Sequence, residues 1–174
     1  MLFSFRKRLL FFLFAMLFFL GLFQLGYIVK IDKSFSKELS KNFANQIHGI
    51  NALGIFLNNF KIALMMFVPV LGIVIGSFSA FSTGLVFNSI VNLSHLNYSN
   101  PLIVFLTPFG FLELLSYGLA ISRGGIFLFE ILKNKISKKS ILFLVMEIGL
   151  VCTMLFIGSI IEWNMIGHLH KRTL

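Results

Sequence analysis

The chain has 174 residues, of which 57% are hydrophobic and only 12% charged, and its mean hydropathy is +0.93. A soluble domain carries about 25% charged residues, so this charge is too sparse to cover a surface facing water, and the solvent for most of the chain must be lipid. The formal net charge is +9, but the basic residues flank apolar runs: Arg6, Lys7 and Arg8; Lys30, Lys33, Lys37 and Lys41; Lys133, Lys135, Lys138 and Lys139; Lys171 and Arg172. That is the placement of juxtamembrane charge, which sets topology and attracts anionic head groups, and it argues against a nucleic-acid partner.

A spanning helix needs about 20 predominantly apolar residues. Residues 9–29 supply the first, interrupted only by Gln24 and two glycines. They follow Arg6-Lys7-Arg8 as a signal peptide would. The run is long, however, and no Ala-x-Ala-like site ends it, so a retained anchor is expected. In 33–56 the apolar residues Phe35, Leu39, Phe43 and Ile47 recur every fourth position, with Lys33, Lys37 and Lys41 between them. This spacing predicts an amphipathic helix lying on the membrane surface or capping the bundle, with a soluble partner as the alternative use of its face.

Residues 60–81 read as the second span and 82–93 as a third, shorter one. The polar stretch 94–100 is a loop by composition, bounded by Pro101. Residues 102–132 are too long for one simple crossing, and Pro108 divides them. The residue before a proline is biased away from helix, whereas proline suits the first turn. Thr107 is therefore expected to cap a helix that starts at Pro108, with 102–106 as a short entering or re-entrant segment. A basic loop follows at 133–139, and 141–161 is the last span.

The expected architecture is all-α: one polytopic transmembrane helix bundle over 1–174, with about five spans, a broken element near Pro108 and an amphipathic interfacial helix. Four or six spans would also fit, because 82–107 is ambiguous. Five crossings put residues 6–8 and 133–139 on one side, which the positive-inside tendency makes cytoplasmic in a cell membrane. The basic residues of 30–61 oppose that assignment.

Gly72, Gly76, Ala80 and Gly84 recur every fourth residue, and Asn88 extends the register. Such a small-residue stripe lets helix backbones approach closely in lipid. Ser116, Ala120 and Gly124 form a second stripe, and the two are expected to face each other. Gly110 accompanies Pro108 at the start of its helix. Glu113 stands in the second turn of that helix, near the positive end of its dipole. A carboxylate at membrane depth costs several kcal/mol unless paired, hydrated or protonated. Its expected setting is the bundle interior, with Asn58, Asn59 or Asn88 as neighbours and a structural bond or a functional site as its use. Arg123 and Glu130 share a face. Glu147 is expected to pair with Arg123 or Lys61.

Cys152 is the only cysteine, so no intrachain disulfide forms, and its place in an apolar run suits a small buried hydrophobe. His168 and His170 are a weak metal signal on a polar tail, and His48 and His95 have no spaced partners. There is no nucleophile–base arrangement, no phosphate-binding loop and no Gly-x-Gly-x-x-Gly. No enzyme activity, cofactor or metal is expected. The expected partners are the lipid bilayer and other membrane proteins, or a second copy of the chain.

The order of these pieces carries a family likeness. Asn58-Asn59 precedes a span with Gly72 and Gly76, Gly84 and Asn88 follow, and then come Thr107-Pro108-Phe109-Gly110-Phe111-Leu112-Glu113, Ala120 and Gly124-Gly125. Over residues 57–128 this resembles the stage II sporulation protein M family of integral membrane proteins, whose members carry an Asn-Asn pair and a Pro-His-Gly-x-x-Glu segment. Phe109 stands where that family usually has His, Ser89 where it often has Gly, and Tyr117 where a small residue is common. The missing histidine removes an ionisable partner for Glu113. The resemblance implies a polytopic envelope protein that works with other proteins; the family's namesake acts with wall-remodelling proteins during engulfment of the forespore. Three functions are consistent with the chain: a non-enzymatic envelope scaffold, a transport or lipid-handling component, and a small accessory subunit of a larger membrane complex.

Overall fold

The computed structural model describes residues 5–94 and 100–172. Among the described residues the chain folds as an all-α bundle of six α-helices: α1 (Phe5–Ile28), α2 (Lys33–Ile47), α3 (Ala52–Met66), α4 (Leu71–Ser94), α5 (Pro108–Leu132) and α6 (Lys138–Arg172). A short 3₁₀ helix, Pro101–Leu106, leads into α5. Most of the loop expected at 94–100, with His95, lies outside the described residues, as do the side chains of His168 and His170. Among the described residues, four segments, in α1, α4, α5 and α6, are long and apolar enough to cross a membrane. α2 and α3, bent by 116° at their break, raise the number to as many as five if they act together.

Contacts between the helices decide the topology. Near the start of α1, Arg8 bonds Ser122 of α5 and Glu147 of α6. Farther along α1, Phe19 and Phe23 pack on Phe105, just ahead of α5. α1 and α5 are therefore antiparallel, and the Arg8 end of the bundle also holds the α5–α6 connection. At the start of α4, Gly76 lies against Ile121, while later in the helix Gly84 lies against Phe23 and Tyr27. So α4 runs parallel to α1. Two parallel helices in succession need a return path between them, and α2 with α3 provides it. The chain traverses the bundle five times, and residues 6–8 share an end with 133–139.

The structure corrects the second and third expected spans. No helix runs through 60–81, and 82–93 is not an element of its own. The break falls at 67–70, inside the apolar sequence Phe67-Val68-Pro69-Val70. Pro69 has no N–H to donate, so the helix ladder cannot continue through it. Phe67 N–H turns back to Leu64 O at 3.2 Å, and Leu71 N–H donates to Pro69 O at 2.8 Å across Val70. That closes a γ-turn with Val70 at φ 67°, a left-handed conformation uncommon for a β-branched residue. The turn is clamped between two glycines. A Cβ at Gly72 would collide with Met66 O, and one at Gly124 would press on Met66 O and Phe67 O.

The expected amphipathic stretch 33–56 is likewise two elements. Gly49, at φ +71°, turns the chain, and Asn51 Oδ1 caps α3 by accepting from Gly54 N–H at 2.9 Å. This elbow marks the other end of the bundle. α2 opens at Asp32, whose carboxylate accepts from Phe35 N–H and from Ser34 Oγ, each at 2.7 Å. α2 packs on α4, with Ser36 buried, Leu39 and Phe43 half-buried, and Lys33, Lys37 and Lys41 exposed.

The last span extends beyond 141–161 at both ends. α6 has 35 residues, about 52 Å at 1.5 Å per residue. The core lies where α1, α3, α4, α5 and α6 meet, around Phe19, Phe23, Met66, Ala80, Tyr117 and Leu155. Phe23 is fully buried and meets Phe105 edge-on at 4.9 Å. Cys152 is half-buried.

Candidate functional site: polar ties between the helices

The start of α5 is built as its local sequence dictates. Thr107 Oγ1 accepts from Gly110 N–H at 3.2 Å and donates to Val104 O at 2.6 Å, tying the 3₁₀ helix to α5. Pro108 occupies the first turn, where a missing N–H costs nothing. Gly110 is bare because a Cβ there would meet Val104 O. Glu113 follows on the second turn. Asn59 Nδ2, on α3, donates to Glu113 Oε1 at 2.5 Å. Asn58 is exposed and donates to its neighbour Asn59 Oδ1 at 3.4 Å. Tyr117, one turn farther along α5, is 6% exposed. Glu162 of α6 is half-buried.

Glu162 also lines a cavity of about 840 Å³ at the elbow end. Its other walls include His48 and Asn164 among the apolar Phe43, Ile47, Ile55 and Trp163. The cavity joins the α2–α3 elbow to the last turns of α6.

Asn88 does not join Glu113. Its amide nitrogen donates to Tyr27 O and, at 3.2 Å, to Val29 O. It thus satisfies carbonyls left over where α1 stops at Ile28. Asn92 in turn donates to Asn88 Oδ1.

Arg123 belongs to a second polar layer, at the Arg8 end. Its Nε donates to Glu147 Oε2 at 2.8 Å and its Nη2 to Glu147 Oε1. Arg8 grips the same carboxylate from α1, with Nη2 to Oε2 at 2.7 Å and Nε to Oε1 at 3.2 Å. Arg8 Nη1 also donates to Ser122 Oγ at 2.7 Å. Two guanidinium forks thus close on one carboxylate and join α1, α5 and α6. Lys61, the other expected partner of Glu147, is exposed on α3. Glu130 is buried and accepts from Ser140 Oγ, which ties α5 to α6 just before their connection.

The small-residue stripe of α4 serves three neighbours in place of the single one expected. Gly72 accommodates the α3–α4 turn, Gly76 meets the Ile121 side chain, and Gly84 meets the backbone of α1 at Phe23 and Tyr27. Ala80 between them is fully buried. On α1, Gly26 returns the contact, with Phe81 O where its Cβ would be. The second stripe does not lie along the first, since Gly124 faces the turn.

Three partners were not legible from spacing. Arg8 read as surface charge, although an arginine at the first turn of a span opposite a membrane-depth glutamate is a signal that could have been used. Gly26 belongs to no four-residue repeat of small residues, so in the sequence it is one more interruption of an apolar run. Glu162 follows the expected end of the last span, and only the length of α6 brings it into the bundle.

No protein-family model, no curated protein and no solved structure matches this chain. Its class rests on the fold and the polar ties: an all-α bundle whose apolar helices fit a multi-pass membrane protein, and whose polar side chains join one helix to another.

Proposed function

We propose that this protein is a non-enzymatic scaffold of the cell envelope, similar to the stage II sporulation protein M family, which holds other membrane proteins or further copies of itself. The observation that carries this reading is the Asn59–Glu113 bond. The Asn-Asn pair and the Pro-x-Gly-x-x-Glu segment, 54 residues apart, are the two features on which the resemblance rests, and in the fold they meet at one contact between α3 and α5. The other polar layers support the same reading, because Glu147, Glu130 and Asn88 are engaged in joining helices. The positive-inside tendency places residues 6–8 and 133–139 in the cytoplasm.

Native mass spectrometry of the chain released in mild detergent tests this. A stoichiometric assembly with other membrane proteins or with itself is expected. A lone chain that retains a solute would contradict it.

A second reading, a transport or lipid-handling component, is favoured by one observation: Glu162 stands in the wall of the elbow-end cavity among apolar side chains. The same spectra decide, since a bound small molecule without protein partners belongs to this reading. A small accessory subunit would show a fixed larger partner.

A further inference from the structure

Glu147 has no accepting capacity left. Each of its two oxygens takes one N–H from Arg8 and one from Arg123. The three side chains together carry one uncompensated positive charge. No charge from the α3–α4 turn at 67–71 or from α4 answers it, since those segments contain no acidic residue. On α5, Glu130 lies seven residues from Arg123, about 10 Å along the axis, and is bound by Ser140. Each guanidinium has five N–H donors. Arg8 uses three and Arg123 two in these bonds, so five of the ten remain for another partner.

The surroundings leave the triad reachable. The Arg8 and Glu147 side chains are 18% and 15% exposed, while Arg123 is held at 7%. The α3–α4 turn tops out beside Gly124, and α5 then continues eight residues to Leu132, about 12 Å farther. The triad therefore sits in a step, overhung on one side by the α5–α6 hairpin. An excess charge in such a place is costly without a counter-ion. A group with one negative charge and several oxygens for planar N–H forks is its complement, and a phosphodiester has both.

We propose that Arg8 and Arg123, held by Glu147, bind the phosphate of an anionic phospholipid at the Arg8 end of the bundle. The charge of the lipid cancels the excess of the triad, and its oxygens take the free N–H groups.

The test is native mass spectrometry of the full chain, delipidated and re-equilibrated with equal amounts of phosphatidylglycerol and phosphatidylcholine. The wild type is expected to hold one phosphatidylglycerol with about a tenfold preference, the worth of one charge-assisted hydrogen bond. Arg8→Gln removes the excess charge and should abolish the preference, while the Arg123–Glu147 pair still joins α5 to α6 in the folded variant. Glu147→Gln raises the charge of the site from one to two and should strengthen retention. Lys7→Gln, at an exposed neighbour, should change nothing. An equal hold on both lipids by the wild type overturns the proposal whatever the variants do. So does a folded Arg8→Gln that keeps the preference, or a folded Glu147→Gln that binds less. Displacement of the lipid by millimolar inorganic phosphate would assign the site to the free anion and also overturn it.

Discussion

Glu113 stands on the second turn of α5, where one amide from α3 reaches it. A glutamine there can still accept from Asn59, whereas a leucine leaves that amide unpaired. Glu113→Gln should melt close to the wild type in detergent. Glu113→Leu should lose about 1–3 kcal/mol, the cost of orphaning a polar group. Equal melting of the two variants would mean that the bond holds nothing.

Asp32 is the titratable cap of α2. The Phe35 N–H and then the Ser34 hydroxyl hold its carboxyl below the usual carboxylate range. A group depressed in this way stabilises the fold above its unfolded value, near 3.9, and the contribution fades as pH falls through the lower folded value. Protection of the amides of residues 33–37, taken relative to their intrinsic exchange rates at each pH, should therefore fall below about pH 4 in the wild type. Asp32→Asn keeps an acceptor without the charge and should remove that pH dependence. An unchanged acid limb in Asp32→Asn would refute the role of the carboxylate.

At the scale of elements, legibility follows the range of the interaction. The break at Thr107–Pro108 is local chemistry, because cap, proline and glycine lie within four residues, and the sequence reading placed it. The Asn59–Glu113 contact was open to inference from the cost of a lone carboxylate in lipid. The break at Pro69 was hidden by its apolar neighbours. What holds Val70 left-handed is the clamp of Gly72 and Gly124, and Gly124 is distant in sequence. Relieving that conformation should help: Val70→Gly is expected to raise stability by about 1 kcal/mol, the left-handed penalty less the entropy of glycine. A lower melting temperature would show that the Val70 side chain is needed for packing.

The α1–α4 crossing was half legible. Gly84 stood out in its stripe, but its counterpart Gly26 emerges only from the fold. A methyl group at Gly84 meets the backbone of α1, whereas one at Gly125 meets nothing within 4 Å. Gly84→Ala should therefore destabilise the bundle, and Gly125→Ala should stabilise it by about 0.5–1 kcal/mol through helix propensity. Loss of equal size in both variants would show that close approach is not what Gly84 provides.

At the scale of the whole molecule, composition alone gave the class, because so little charge cannot cover a soluble domain. Span boundaries were less legible, since hydropathy reads through a proline turn and stops short of the amphipathic end of α6. The central claim is the path of the chain: α1 and α4 parallel, with α2 and α3 returning between them. Single-cysteine labelling in sealed vesicles tests it most directly, with Cys152 replaced by Ser and probes placed at Lys7, Ser34 and Ser137. The account predicts that Lys7→Cys and Ser137→Cys react from one side and Ser34→Cys from the other. Labelling of Ser34→Cys and Ser137→Cys from the same side would contradict it.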